Sequence, residues 1–210
     1  MIQTDIQTTE KLKEIKQSFR LLMNGVTAQS LRDKGLDYHL NWGANLLHLR
    51  EMAKDYTPDH QLAQALWKED VRECKIMATL LMPKEDFPSD LAMLWIEQTK
   101  TQEIAEVAVM NLYQQLPYAS DMAFQLIASP DEMMQMHGFL ILASLFRKGM
   151  TPNDRDINEF LDQAVSALQN GSISLKHSAL NAVQHFANID DSCLIVAKGA
   201  LKFGGFENFL

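Results

Sequence analysis

The chain has 210 residues, 47% of them apolar and 22% charged, with a formal charge of −8 at neutral pH. That length and apolar content suit one sizeable domain or a short repeat array and exclude a disordered chain. The acidic balance excludes a uniformly basic nucleic-acid binder and leaves room for a local basic face.

No apolar run approaches the roughly 18 residues of a membrane span, and the polar start "MIQTDIQTTEKLKEIK" does not read as a signal peptide. The two cysteines, Cys74 and Cys193, sit in apolar helical sequence, as expected of buried reduced thiols in a cytoplasmic protein. The six histidines show no H-x-x-x-H or H-E-x-x-H spacing, and the chain has no Gly-rich phosphate loop or nucleophile elbow. No metal and no cofactor are expected.

Along the chain every periodic segment reads as helix. Leu12, Ile15, Phe19 and Leu22 recur at spacings of three and four, an amphipathic stripe. The pattern continues through "DHQLAQALW", "VRECKIMATLLM", "SDLAMLWIEQT", "QEIAEVAVMNLYQQL", "SDMAFQLIA", "DEMMQMHGFLILASLF", "INEFLDQAVSALQ", "SLKHSALNAVQHFA" and "DSCLIVAKGALKF". Breaks such as "PKEDFPSD", "SPDE", "KGMTPND" and "NGSIS" separate them, with Pro88, Pro130 and Pro152 expected at helix starts. No sustained alternation or hairpin signal appears, so strands are not expected.

Four apolar helices, "CKIMATLLM", "AEVAVMNLY", "HGFLILASLF" and "HSALNAVQHFA", recur every ~30 to 40 residues, near the period of HEAT-type repeats. The expected fold is all-α: a right-handed α-solenoid forming a single domain over 1–210. Its N-terminal helices take 1–56, repeat pairs 57–190, and a capping helix and tail 191–210. Function should line the concave side of such an array.

Two segments carry a family resemblance. "DYHLNWGANLLHLREMAKDY", with Gly43, Leu49–Arg50 and Ala53–Lys54, resembles the first segment of the DNA alkylation repair family, the AlkD-like HEAT-repeat glycosylases. "ALWKEDVRECKIMATLLM", with Leu66–Trp67 and Arg72–Glu73, is similar to the family's next helix pair. The resemblance covers roughly residues 36 to 190. It implies an enzyme class that excises positively charged N3- or N7-alkylated purines from DNA without a deep base pocket. Tryptophans would contact the lesion, and a carboxylate would stabilise the oxocarbenium-like sugar as the base departs.

The implied catalytic positions are substituted. In "TKTQEIAEVAVMNLY", a gapless superposition on the family pattern puts Glu103 at its Trp and Val107 at its Asp. Glu106 is the nearest acid, and a one-residue offset turns a side chain by about 100° around a helix. Only a one-residue slip would let Glu106 replace the Asp, with Gln102 then in place of the Trp. The family's later Arg falls on His137 and its later Trp on Asn181. For Glu103 and Glu106 three roles stand open: solvated or dipole-satisfying acids behind a Thr99 or Thr101 cap, binding residues, or residual glycosylase carboxylates.

Trp42 follows a loop and could pack between the first helices or meet DNA, whereas Trp67 and Trp95 lie in apolar stripes and read as core. Arg50, Arg72, Lys100, Arg147, Lys148 and Lys176 are the phosphate-contact candidates, with His137 and Asn181 as further DNA contacts. The tail "ALKFGGFENFL" reads as a cover for the last repeat or, alternatively, a docking peptide. Three function classes follow: a DNA-binding repair relative with activity weak or lost, an active excision enzyme using Glu106 or Glu103, or a protein-interaction scaffold. The expected partner is double-stranded DNA in a concave groove, or otherwise a protein, and no membrane.

Overall fold

The computed structural model describes residues 6–36 and 38–210. The opening residues "MIQTD" of the signal-peptide reading, and Asp37 of the first family segment, lie outside the described residues. The described residues are helical, with no strand among them beyond one isolated bridge between Leu40 and Val71. They fall into two compact units divided after Leu91.

In the first unit the helices are α1 (Ile6–Ser18), α2 (Gly25–Asp33), α3 (Leu46–Ala53), α4 (His60–Lys68) and α5 (Arg72–Leu81). The stripe read on α1 does what its spacing implies: Ile15 and Phe19 are fully buried, and α1 packs on α4. Lys16 reinforces that packing by bonding Glu69, and Lys11 lies 3.6 Å from Asp59, the residue that caps α4. Helix α2 had no clear periodicity in the sequence because only Ala28 is buried on it. It forms locally because Asn24 caps it, accepting from the Thr27 N–H.

Between α2 and α3 the chain makes a tightly held loop, residues 40–45. Gly43 has φ +70°, and a Cβ there would stand 2.2 Å from the Asn24 carbonyl oxygen and 2.6 Å from the Ala28 nitrogen. Only glycine fits that approach. The glycine of the first family segment is therefore a packing requirement.

The boundary falls within the first turn of helix α6 (Ser89–Glu97). The second unit continues with α7 (Gln102–Asn111), α8 (Ala119–Ile127), α9 (Glu132–Arg147), α10 (Asp154–Asn170), α11 (Ile173–Ala187) and α12 (Asp191–Gly204). Side-chain caps from Thr101, Asp131, Asn153, Ser172 and Asp190 start five of these helices. Helix α9 packs against both α7 and α11, while α8, α10 and α12 form the second layer behind them. Phe139, Phe146, Phe160 and Phe186 join the layers, meeting edge-on with ring centroids 5.0–6.3 Å apart. Each such buried ring contributes roughly 1.5–3 kcal/mol of transfer free energy. Trp67 and Trp95 are core side chains, each 2% exposed, and both cysteines are buried thiols.

At the C-terminus the rings of Phe206 and Phe209 meet at a tilt, 5.9 Å apart, and the Phe209 carbonyl accepts from Gln184 on α11. Phe203 instead stands almost fully exposed. No helix among the described residues is long and apolar enough to cross a membrane.

Candidate nucleic-acid interface

Helices α7, α9 and α11 each turn one stripe toward a shared cleft in the second unit. Glu106, Val109 and Met110 come from α7; Leu140, Ala143, Ser144 and Arg147 from α9; Asn181 and His185 from α11; Gln114 closes one end. The spacings of three and four within each helix explain why these side chains share a face. The cleft is small, about 150 Å³. Glu106 is exposed at its edge and accepts a 2.7 Å hydrogen bond from Gln102, one turn earlier. Lys148 flanks it, donating to the Gln114 carbonyl at 3.1 Å.

This geometry separates the sequence candidates. Val107 is buried, 7% exposed, so the residue at the gapless counterpart of the family aspartate faces the core. Glu106 and Gln102 are the residues one turn apart on the solvent side of α7. Glu103 is half-buried and does not line the cleft. Asn181 does line it, alongside Glu106 and Arg147.

His137 requires correction as a DNA contact. It is fully buried, its Nδ1 lies 2.8 Å from the Met133 carbonyl, and its ring packs 6.1 Å from Tyr113. The carbonyl can only accept, so Nδ1 carries the proton, and Nε2 is buried with no hydrogen-bond partner. Burial holds the imidazole pKa down at about 4, against a smaller upward pull from the Met133 hydrogen bond and Asp131.

Arg72 is the second correction. It is 5% exposed, and its Nη1 donates to the Ala44 carbonyl at 2.9 Å and to Glu73 Oε1 at 3.0 Å. Glu73, with no exposure, also accepts from the Trp42 N–H and the Ala44 N–H, both at 3.2 Å. A buried pair with its lone pairs and protons satisfied is a structural device with no capacity left for phosphate. Lys100 is exposed ahead of α7, Arg50 is half-buried, and Lys176 is half-buried and reaches the Gln169 carbonyl at 3.4 Å.

Trp42 lies in a second cleft, within the first unit. It is half-buried, and with Leu40 and Val71 it faces Leu12, Lys13, Lys16 and Gln17 along α1 and Arg20 in the turn that follows it. That cleft holds about 330 Å³, the small end of ligand sites at roughly 300–1,000 Å³. The sequence candidates include neither Lys13 nor Arg20, nor Ser144 and His185 of the other cleft. Lys13, Lys16 and Arg20 do recur at spacings of three and four along α1 and the turn after it, a visible signal. What the sequence conceals is that the loop carrying Trp42 folds back over them.

Among the described residues no group of three or more His, Cys, Asp or Glu side chains is placed to hold a metal ion. The architecture, paired helices in two layers with a cleft on their inner faces, defines a HEAT-like helical-repeat protein. Residues 10–183 match the model of the family described as DNA alkylation repair enzyme, and the chain belongs to that family. It is also similar to a solved structure described as one of "a new family of proteins related to the HEAT-like repeat DNA glycosylases with affinity for branched DNA structures". The likeness has a TM-score of 0.80 at 16% identity, covering 91% of this chain and 82% of the other. No curated protein matches the chain.

Proposed function

We propose that this protein binds DNA and that the excision chemistry of its family is weak or lost in it. The observation that carries this reading is the cleft of the second unit, which among the described residues offers one carboxylate, Glu106, and no tryptophan, tyrosine or phenylalanine, its one ring being the imidazole of His185. Gripping a cationic alkylpurine calls for a ring face in a water-excluded site, where cation–π attraction is largest. Stabilising an oxocarbenium-like sugar calls for a carboxylate preorganised away from water. Glu106 is exposed, and it shares the cleft with Arg147, whose charge offsets its own. Such a lining holds a phosphate backbone at Arg147 and polar groups at Asn181 and Ser144. It does little for a leaving cationic base.

Support for DNA as the partner comes from the family membership and from the structural neighbour, which is described as having affinity for branched DNA structures. The mode of binding requires no cofactor and no metal. Two buried reduced cysteines fit a cytoplasmic setting.

The test is a pair of assays on one sample: binding to duplex and branched DNA at two salt concentrations, and release of 7-methylguanine or 3-methyladenine from alkylated DNA. Salt-sensitive binding without base release is the expected result. Release that disappears in Glu106→Gln would instead establish a working enzyme with a relocated carboxylate. No binding at low salt would remove the DNA reading and leave a protein-interaction scaffold.

A further inference from the structure

The Trp42 cleft is built with more care than packing alone explains. Trp42 is anchored through both of its backbone polar groups: its N–H donates to Glu73 and its carbonyl accepts from Asn24 at 2.9 Å. Leu40 pairs with Val71 on one side, and Asn41 accepts from the Gly43 N–H at 2.8 Å on the other. The indole is thus held, half-exposed, across a cleft from the cationic face of α1.

Of the three cations in that cleft, Lys16 is engaged by Glu69. Lys13 and Arg20 are exposed, and among the described residues neither is in an ion pair. Among the described residues no carboxylate lines the cleft. Glu14 of α1 lines a different depression beside Tyr56, and Asp70, next to Val71, is not part of the lining. On a chain of net charge −8 this is a local pairing of one aromatic face with two available cations.

We propose that this cleft takes an unpaired base of a single-stranded DNA segment, stacked on Trp42, with its flanking phosphates on Lys13 and Arg20. Aromatic faces beside backbone-tracking cations are the general means of holding single strands. A base within a duplex hides both faces against its neighbours, so only an unstacked one can meet the indole. Fixing the loop beforehand lowers the ordering cost of binding. The proposal rests on the DNA-binding reading above and adds which DNA structure is preferred and where it is gripped.

The experiment compares a forked duplex carrying a short oligo(dT) arm with a blunt duplex of the same length, using the full chain. Trp67 and Trp95 are both 2% exposed, so quenching of tryptophan emission reports Trp42. Oligo(dT) should quench it. Trp42→Leu should abolish the quench and lower the preference for forked over blunt DNA about tenfold. Lys13→Gln with Arg20→Gln, both at exposed positions, should reduce the single-strand salt slope by about 1.4.

If DNA binds but forked and blunt substrates bind equally, or both variants retain the preference, the cleft assignment is wrong while the DNA reading stands. If no DNA binds, both fall. Quenching by dTMP as tight as by the dT arm would give the cleft to free nucleotides and overturn the strand assignment.

Discussion

The two clefts of this protein are made in opposite ways. In the first unit, a buried carboxylate and guanidinium clamp a loop backbone so that one aromatic ring is presented in a fixed place. In the second, three helices leave side chains on a shared face, and nothing buried orients Glu106, Arg147 or Asn181. A position held by buried polar bonds is costly to change, whereas a solvent-facing stripe can be rewritten residue by residue with little effect on folding. That asymmetry is what the proposed loss of excision chemistry requires: a fold whose buried frame is fixed while its solvent-facing side chains are free to change.

The comparison breaks most sharply at Glu73. Glu73→Ala leaves the Arg72 charge buried and strips partners from the Trp42 and Ala44 N–H groups. The expected cost is about 3–5 kcal/mol, the range for breaking a buried pair from one side. Urea unfolding followed by circular dichroism measures it. A loss below about 1 kcal/mol would mean the loop is held by other means, and the contrast between the clefts would vanish.

His137 supplies the next effect, and it belongs to the second unit's interior and not to its cleft. The folded pKa is about 4, against 6.5 for an unperturbed histidine. Above pH 6.5 the ring is neutral in both states and contributes nothing. As pH falls from 6.5 to 4 the unfolded chain takes up a proton that the folded chain refuses, so stability is lost across that window. Below pH 4 the loss levels off at about 3 kcal/mol. Stability curves of the wild type and His137→Gln should therefore diverge between pH 6.5 and 4, with the wild type falling faster. Parallel curves would show that the buried ring titrates normally.

Much of the frame was legible because its signals are periodic or steric. The apolar stripes gave the helices, Pro88 precedes α6, and "Leu–Trp … Arg–Glu" marked positions that prove to be core and clamp. Helix α2 escaped because a helix with one buried residue has almost no period. Arg72 and His137 were misread for a common reason: burial reverses what a polar residue type implies, and burial of a single side chain is not written in local spacing. The adjacent "RE" of Arg72–Glu73 held the clue, since an ion pair at the start of a mostly apolar helix has few partners but itself and the nearby backbone. Lys13 and Arg20 were visible as a stripe, but their juxtaposition with Trp42 depends on a loop closing over some 20–30 residues of intervening chain, which periodicity does not encode.

The smallest effect sharpens the comparison from the solvent-facing side. Arg147→Gln removes one exposed cation from the second unit's cleft, where no buried bond depends on it. Folding stability should stay within about 0.5 kcal/mol of wild type, as for surface changes generally. Duplex affinity should fall a few-fold, and the slope of log K against log salt should drop by about 0.9, the signature of one lost phosphate contact. The slope separates the alternatives because it counts charges and is blind to packing. An unchanged slope with unchanged affinity would mean that DNA avoids this cleft, and the first unit's Trp42 cleft would then carry the binding alone. A stability loss comparable to that of Glu73→Ala would mean instead that the stripe is part of the frame, and the division between a fixed scaffold and a rewritable surface would have to be abandoned.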